Sequence, residues 1–409
     1  MYIQRTIENK IKGVLNRKEI IAVVGARQVG KTTTIHHILD SLLNKKINKL
    51  SFDDITTKSL FEEDIESFIE LHVKNYDILF IDEIQYVKES GKILKFIYDT
   101  QKIKIIVSGS SATELSIQSI KHLVGRVFIF TLYPFSFEEY LRAEKPDLLD
   151  VYMLGNYKQT ITKELNKHKQ SFILYGGYPA VVLEKDTRIK EEILRNIYNT
   201  HLLREIRDLL HLAENDKLVK LLKILVLQTG NIINYTDLSQ ETGFSQPTLK
   251  KYLTILEQTF ICQRVKPFFT NKKKELVKNP KIYFIDFGFR NACLNNFSTQ
   301  RTDVGMVQEQ FVFTEFLKKD MQLKFWQTKS KAEVDFIIEK NNKQYPLEIK
   351  TMLTKAKTTR SFMNFLQEYK PEKSFILSDE LETIITKQKQ QIRFKPVVKI
   401  NKLIEELNA

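Results

Sequence analysis

Apolar residues follow two rhythms along this chain. From residue 1 to about 140, short unbroken runs (IIAVVG, KLSF, ILFID, IKIIVSG, RVFIFTL) alternate with stretches in which apolar positions recur every third or fourth residue. Unbroken runs of this length predict strands buried on both faces, and the wider spacing predicts amphipathic helices. Residues 1–140 therefore read as an α/β domain, a parallel sheet covered by helices. Residues 141–215 are mainly helical in period, broken by the turn-prone YGGYP at 175–179, and predict a helical lid.

Residues 216–270 contain three helix-sized segments followed by the strand-like ICQRVKPFF, the order of a winged helix. Thr236 is expected to cap the second helix and Ser245 the third, with Gly243 in the turn between them and Pro247 in the first turn, where proline is tolerated. SQPTLKKYLTILEQ is then the recognition helix. Residues 271–409 continue with strand-like KIYFIDFGF, a helix near 305–319 and the strands QLKFWQT, EVDFIIE and YPLEIK, a final α/β domain.

The composition narrows the classes. No run approaches the roughly 20 apolar residues of a membrane-spanning helix, and MYIQRTIENKIKG lacks the apolar core of a secretory signal. A cytoplasmic protein with no membrane partner is expected. Two cysteines, Cys262 and Cys293, cannot build a disulfide framework. The histidines, apart from adjacent His36 and His37, are scattered without metal-ligand spacing, which argues against structural zinc. The net charge is +14, and Asn271–Ala409 carries 26 basic and 17 acidic residues, a surplus of nine. That bias fits a polyanion such as DNA, and equally a lysine-rich solvated surface.

One motif defines specific chemistry. Residues 25–32, GARQVGKT, place two glycines, a lysine and a threonine at the offsets of a phosphate-binding loop, between the strand IIAVV and the helix TTTIHHILDSLL. In that setting the N–H groups of Gly25, Ala26, Arg27, Gln28, Val29, Gly30, Lys31, Thr32 and Thr33 converge on phosphates. Lys31 is expected on the β- and γ-phosphates of ATP and Thr32 on Mg²⁺. ILFIDEIQ, at 78–85, ends an apolar strand in two carboxylates. Asp82 would support the Mg²⁺ shell and Glu83 would orient or deprotonate the attacking water, the alternative being that both merely cap the next helix. Ser110, in IKIIVSGSS, is placed to sense the γ-phosphate, or simply forms a turn. Arg126, in HLVGRVF, is a candidate arginine finger for its own ATP or for that of a neighbouring subunit, the latter implying a homo-oligomer; a surface ion pair is the other reading. The two arginines of HLLREIRDLL, at 201–210, either reach the nucleotide or form helix-surface ion pairs.

Taken together, GARQVGKT, FIDEIQ, SGSS, LVGR, LYPFSFEEY, YGGYP and an EVDF–LEIK pair resemble the prokaryotic AAA-type ATPases that carry a C-terminal domain of unknown function. The resemblance spans nearly the whole chain. It implies ATP-site roles for Lys31, Thr32, Asp82 and Glu83 and a sensor role for Ser110.

In the C-terminal block, Asp335 lies in AEVDF and Glu348 and Lys350 in LEIK. Residues two apart in a strand share a face, so Glu348 and Lys350 point alike, with the Asp335 strand alongside. An aspartate followed by Glu-x-Lys resembles the PD-(D/E)xK fold of restriction endonucleases, where carboxylates bind Mg²⁺ and lysine stabilises developing charge. Glu309 is the best match to the additional acid, since Glu315 faces elsewhere on the same helix. Such a site either cleaves DNA or is vestigial in a regulatory ATPase. Gln246, Thr248, Lys250 and Lys251 are the residues a DNA-reading helix would present, although winged helices also dock proteins.

Overall fold

The computed structural model describes residues 2–110, 123–200, 206 and 215–408. The chain divides into two compact units, Met1–Phe135 with Thr254–Ile261, and Ser136–Leu253 with Cys262–Ala409.

The first unit is built on five strands, β1 (Ile20–Val24), β2 (Ile47–Ser51), β3 (Ile78–Asp82), β4 (Lys104–Gly109) and β5 (Val127–Thr131), in the order β2-β3-β4-β1-β5. Every pairing is parallel. The Ile- and Val-rich β1 and β3 are buried at every position, as strands sandwiched between helices must be. Parallel register brings Val24, Ser51, Asp82, Gly109 and Thr131 to one edge of the sheet, the edge where open α/β sheets carry ligands. The ring stack Phe52–Phe61–Phe68 fills one side of the core, and Phe260 packs edge-on to Tyr133.

The second unit opens with helices Phe137–Glu144, Pro146–Leu154, Gln159–Tyr175, Pro179–Leu183 and Thr187–Ile197. The first carries a full capping box from Ser136 and Glu139. YGGYP breaks the helical run because it is docked against another segment. Asp286 accepts from Gly177 N at 2.7 Å, and a side chain on Gly288 would come within 2.2 Å of the Tyr175 carbonyl. Gly176, at φ 74°, takes a left-handed turn that glycine adopts freely.

Helices Asn215–Leu227, Tyr235–Thr242 and Gln246–Gln258 follow. The expected cap Thr236 is corrected to Asn234, whose side chain accepts from Thr236 N at 3.0 Å; the helix starts one residue before Thr236, so Thr236 lies inside the first turn. Ser245 caps the third helix, accepting from Thr248 N, and Gly243 ends the second at φ 73°. β6 (Cys262–Val265) pairs antiparallel with β7 (Lys281–Phe284). The single strand expected over KIYFIDFGF stops at Phe284, because Asp286 caps a new helix, Phe287–Leu294.

The C-terminal sheet has six strands, β8 (Leu323–Gln327), β9 (Glu333–Lys340), β10 (Lys343–Ile349), β11 (Ser374–Ser378), β12 (Thr383–Lys387) and β13 (Gln390–Pro396), ordered β12-β13-β11-β10-β9-β8. It is mixed, since β10–β11 and β11–β13 are parallel and the other pairs antiparallel. Trp326 is buried against Phe365 and Tyr369 as a packing residue. Among the described residues no helix is long and apolar enough to cross a membrane.

Candidate functional site

The loop Gly25–Gly30 leaves the buried end of β1 and enters helix Lys31–Asp40, whose first residues supply the chemistry. Gly25 lies so close to the neighbouring strand that a Cβ would meet the Leu132 carbonyl at 2.2 Å, and Gly30 is left-handed at φ 90°. Both positions require glycine. Lys31 is buried, and its Nζ donates to the carbonyls of Gly25 (3.1 Å) and Ala26 (2.9 Å). Burial lowers its pKa to about 8, against the opposing charges of Glu83 and Asp82. A buried ammonium on neutral carbonyls gains from an anion, so the cradle fits a phosphate.

Thr32 Oγ1 donates to Asp82 Oδ2 at 2.6 Å, and Ser108 hydrogen-bonds the other oxygen. A hydroxyl and a carboxylate side by side are the hard oxygen donors Mg²⁺ prefers, and the set fits that ion. Glu83 is held in a left-handed conformation at φ 55°, a strain typical of functional positions. Its carboxylate meets the Gln85 amide, which also donates to Ser110 Oγ at 3.0 Å. Gln85 thus bridges the predicted water-activating residue and the predicted sensor. It lies two residues after Glu83, within the quoted FIDEIQ, so proximity was the available signal.

Arg5 was also missed. It is buried beneath the loop, donating to Val29 O (2.8 Å) and Tyr133 O (2.6 Å) with its guanidinium 4.7 Å from the Phe135 ring centroid. Its partners lie 24 and 128 residues away, and no local pattern announces them.

Arg126 is placed elsewhere. Its carbonyl accepts from Ile20 N, at the start of β1, whereas the loop follows Val24 at the other end. Four residues of strand separate the two by about 13 Å. Its side chain pairs with Asp99 at 3.1 Å. In this arrangement Arg126 stands at the end of β1 away from its own phosphate loop. The arginines of 201–210 lie outside the described residues.

In the second unit, β9 and β10 run antiparallel, with Phe336 opposite Leu347, so Asp335 and Glu348 face each other one step further along. Asp335 Oδ2 accepts from Ile349 N at 2.6 Å, and Glu348 Oε1 receives Lys350 Nζ at 2.9 Å and Thr359 Oγ1 at 3.2 Å. Glu309 accepts from Tyr283 OH at 3.1 Å. Burial first, and then the Asp335 charge, raises the pKa of both Glu309 and Glu348. Glu315 is separate, accepting from Phe137 N. The four sequence-selected groups share one neighbourhood, yet among the described residues no three carboxylate, histidine or cysteine side chains gather at metal-holding spacing. A lysine not selected from the sequence, Lys281, stands among them.

Comparison with known proteins places the first site in a class. Residues 17–141 match the family model described as an AAA domain, and that match supports an AAA-type P-loop ATPase domain with ATP binding and hydrolysis. Two further models, each described as a domain of unknown function, match residues 166–300 and 304–400. An uncharacterized protein of Methanocaldococcus jannaschii is 28% identical over 354 residues, covering 84% of this chain and 76% of its own. An uncharacterized protein of Haemophilus influenzae is 25% identical over 350 residues, covering 81% and 83%. The Walker-type ATPase of Pyrococcus abyssi is similar over 72% of this chain and 96% of its own, at 14% identity and a TM-score of 0.47.

Proposed function

We propose that the protein is a Mg²⁺-dependent ATPase whose nucleotide cycle repositions a DNA-directed winged helix and a nuclease-like C-terminal region. The observation that carries the ATP half is the Thr32–Asp82 contact at 2.6 Å beside the buried Lys31. Lys31 holds the β- and γ-phosphates, Thr32 and Asp82 support Mg²⁺, Glu83 activates water and Ser110 senses the γ-phosphate. Arg126 serves as an arginine finger on a neighbouring subunit's ATP, in a homo-oligomer.

For the DNA half, support comes from helix Gln246–Gln258. It buries Leu249, Leu253 and Leu256 and exposes Gln246, Lys250 and Lys251, the groups that meet phosphates and base edges. The Thr248 hydroxyl lies 2.7 Å from that of the capping Ser245, on the same exposed end of the helix. A gel-shift titration at two salt concentrations tests this: binding through several cations weakens steeply with salt. Absence of any shift at low salt removes the DNA reading.

A second reading is favoured by Lys281 within the carboxylate cluster: a regulatory ATPase whose C-terminal parts bind protein and whose nuclease-like site is inactive. It predicts ATP turnover indifferent to DNA and no Mg²⁺-dependent cleavage. ATPase assays with and without DNA separate the two.

A further inference from the structure

The carboxylate cluster carries a cation of its own. Lys281 is 2% exposed, and it ion-pairs with Glu333 while standing 3.9 Å from Glu309 Oε2. Its charge also faces Asp335, and the Phe325 ring centroid lies 5.3 Å from its Nζ. Tyr283, two residues along and on the same side of β7, donates to Glu309 Oε2. One strand therefore delivers an ammonium and a hydroxyl to the same carboxylates. From the opposite side Lys350, which is partly exposed, pairs with Glu348.

A lysine sealed from water is costly unless paired, and Glu333 and Glu309 stand beside the Lys281 ammonium. Glu348 Oε2 is buried without a hydrogen-bond partner. Four carboxylates (Glu309, Glu333, Asp335, Glu348) thus meet two ammoniums, Lys281 and Lys350. A divalent ion would enter beside a buried positive charge that is paired to Glu333 and stands 3.9 Å from one of its expected donors, Glu309.

We propose that Lys281 is the resident cation of this cluster, its ammonium standing where a metal-dependent nuclease holds a divalent ion, so that the cluster binds no Mg²⁺ and serves as an ion-pair lock. What it locks is visible in the backbone. Gly230 N donates to Ile282 O at 2.8 Å and Ile233 N to Pro280 O at 2.9 Å, which ties β7 to the turn between the first two of the three helices. The lock joins that segment to the β9–β10 edge. This inference bears on the second reading above and stands whether or not the helices bind DNA.

The test is a Mn²⁺ titration of the full-length, nucleotide-free protein, with bound ion counted by electron paramagnetic resonance. Wild type and Asp335→Asn should give superimposable isotherms. Lys281→Met should gain one equivalent of bound Mn²⁺, and adding Asp335→Asn to it should remove that equivalent. If Lys281→Met does not fold, Lys281→Gln with Glu333→Gln preserves charge balance and takes the same titration. Mn²⁺ bound by wild type and lost in Asp335→Asn overturns the proposal, as does a lysine-free variant that gains none. A missing gel shift sinks only the DNA reading and leaves this titration unaffected.

Discussion

The Thr32 hydroxyl donates to Asp82 across 2.6 Å, joining the first turn of the helix after the phosphate loop to the end of β3. The two oxygens come from segments 50 residues apart, and only the parallel register of the sheet makes them neighbours. Removing either should affect metal use more than folding. Thr32→Val is expected to lower Mg²⁺-dependent phosphate release by roughly 100-fold or more, since metal stabilisation contributes several kcal/mol to the transition state. Lys31→Ala should lose nucleotide binding altogether. Wild-type release rates in Thr32→Val would remove the metal role assigned to that hydroxyl.

Glu83 is set in a strained backbone and held by Gln85, so its role separates from binding. Glu83→Gln should still bind ATP while hydrolysis falls by about 10²–10⁴, the range of a lost general base. Gln85→Leu leaves the carboxylate in place but unsupported, and kcat should drop about tenfold with KM little changed, as for other orienting partners. Normal turnover by Glu83→Gln would falsify the water-activating role.

Arg5 supports the loop from below through two backbone carbonyls. Arg5→Met keeps bulk and removes both charge-assisted bonds, with an expected loss of roughly 2–4 kcal/mol. A thermal melt should show it, together with weaker protection by ATP. An unchanged melting temperature would mean that the loop holds its shape unaided.

Asp286 anchors Gly177 N and caps the helix Phe287–Leu294 through Phe289 N. Gly288→Ala should be strongly destabilising, by about 1–3 kcal/mol or more, because the added methyl meets a backbone carbonyl that cannot yield. Burial raises the Asp286 pKa despite the N–H groups that favour its anion. A carboxyl with a folded pKa above its unfolded value lends stability that is complete below the unfolded value and lost as pH rises through the folded one. Asp286→Asn cannot titrate, so denaturant melts across mildly acidic pH should show a flatter dependence than wild type. An identical profile would show that another group carries it.

The grouping of Lys31, Thr32, Asp82 and Glu83 at the candidate nucleotide site was legible in the sequence because each of its parts is local. A phosphate loop is eight consecutive residues, and an apolar strand ending in Asp82 and Glu83 advertises its own position. Unbroken apolar runs likewise marked the five parallel strands, each within a few residues. Arg5 was invisible because what defines it is a pair of distant carbonyls. Thr236 lost the cap to Asn234, two residues away, since neighbouring polar residues compete for the same N–H groups and composition does not arbitrate. KIYFIDFGF shows strand character without stating a partner, so pairing with β6, and with it the placement of Lys281, could not be read. The last three strands of the C-terminal sheet were not singled out.

β7 spends its four residues in strict alternation: Lys281 and Tyr283 turn to acids, Ile282 and Phe284 the other way, and all four are buried. A slip of one residue would press an isoleucine against carboxylates and strand an ammonium in hydrocarbon. Misaligned pairing with β6 is thus penalised on both faces at once, and the acids proofread the registry of a hairpin too short to enforce its own.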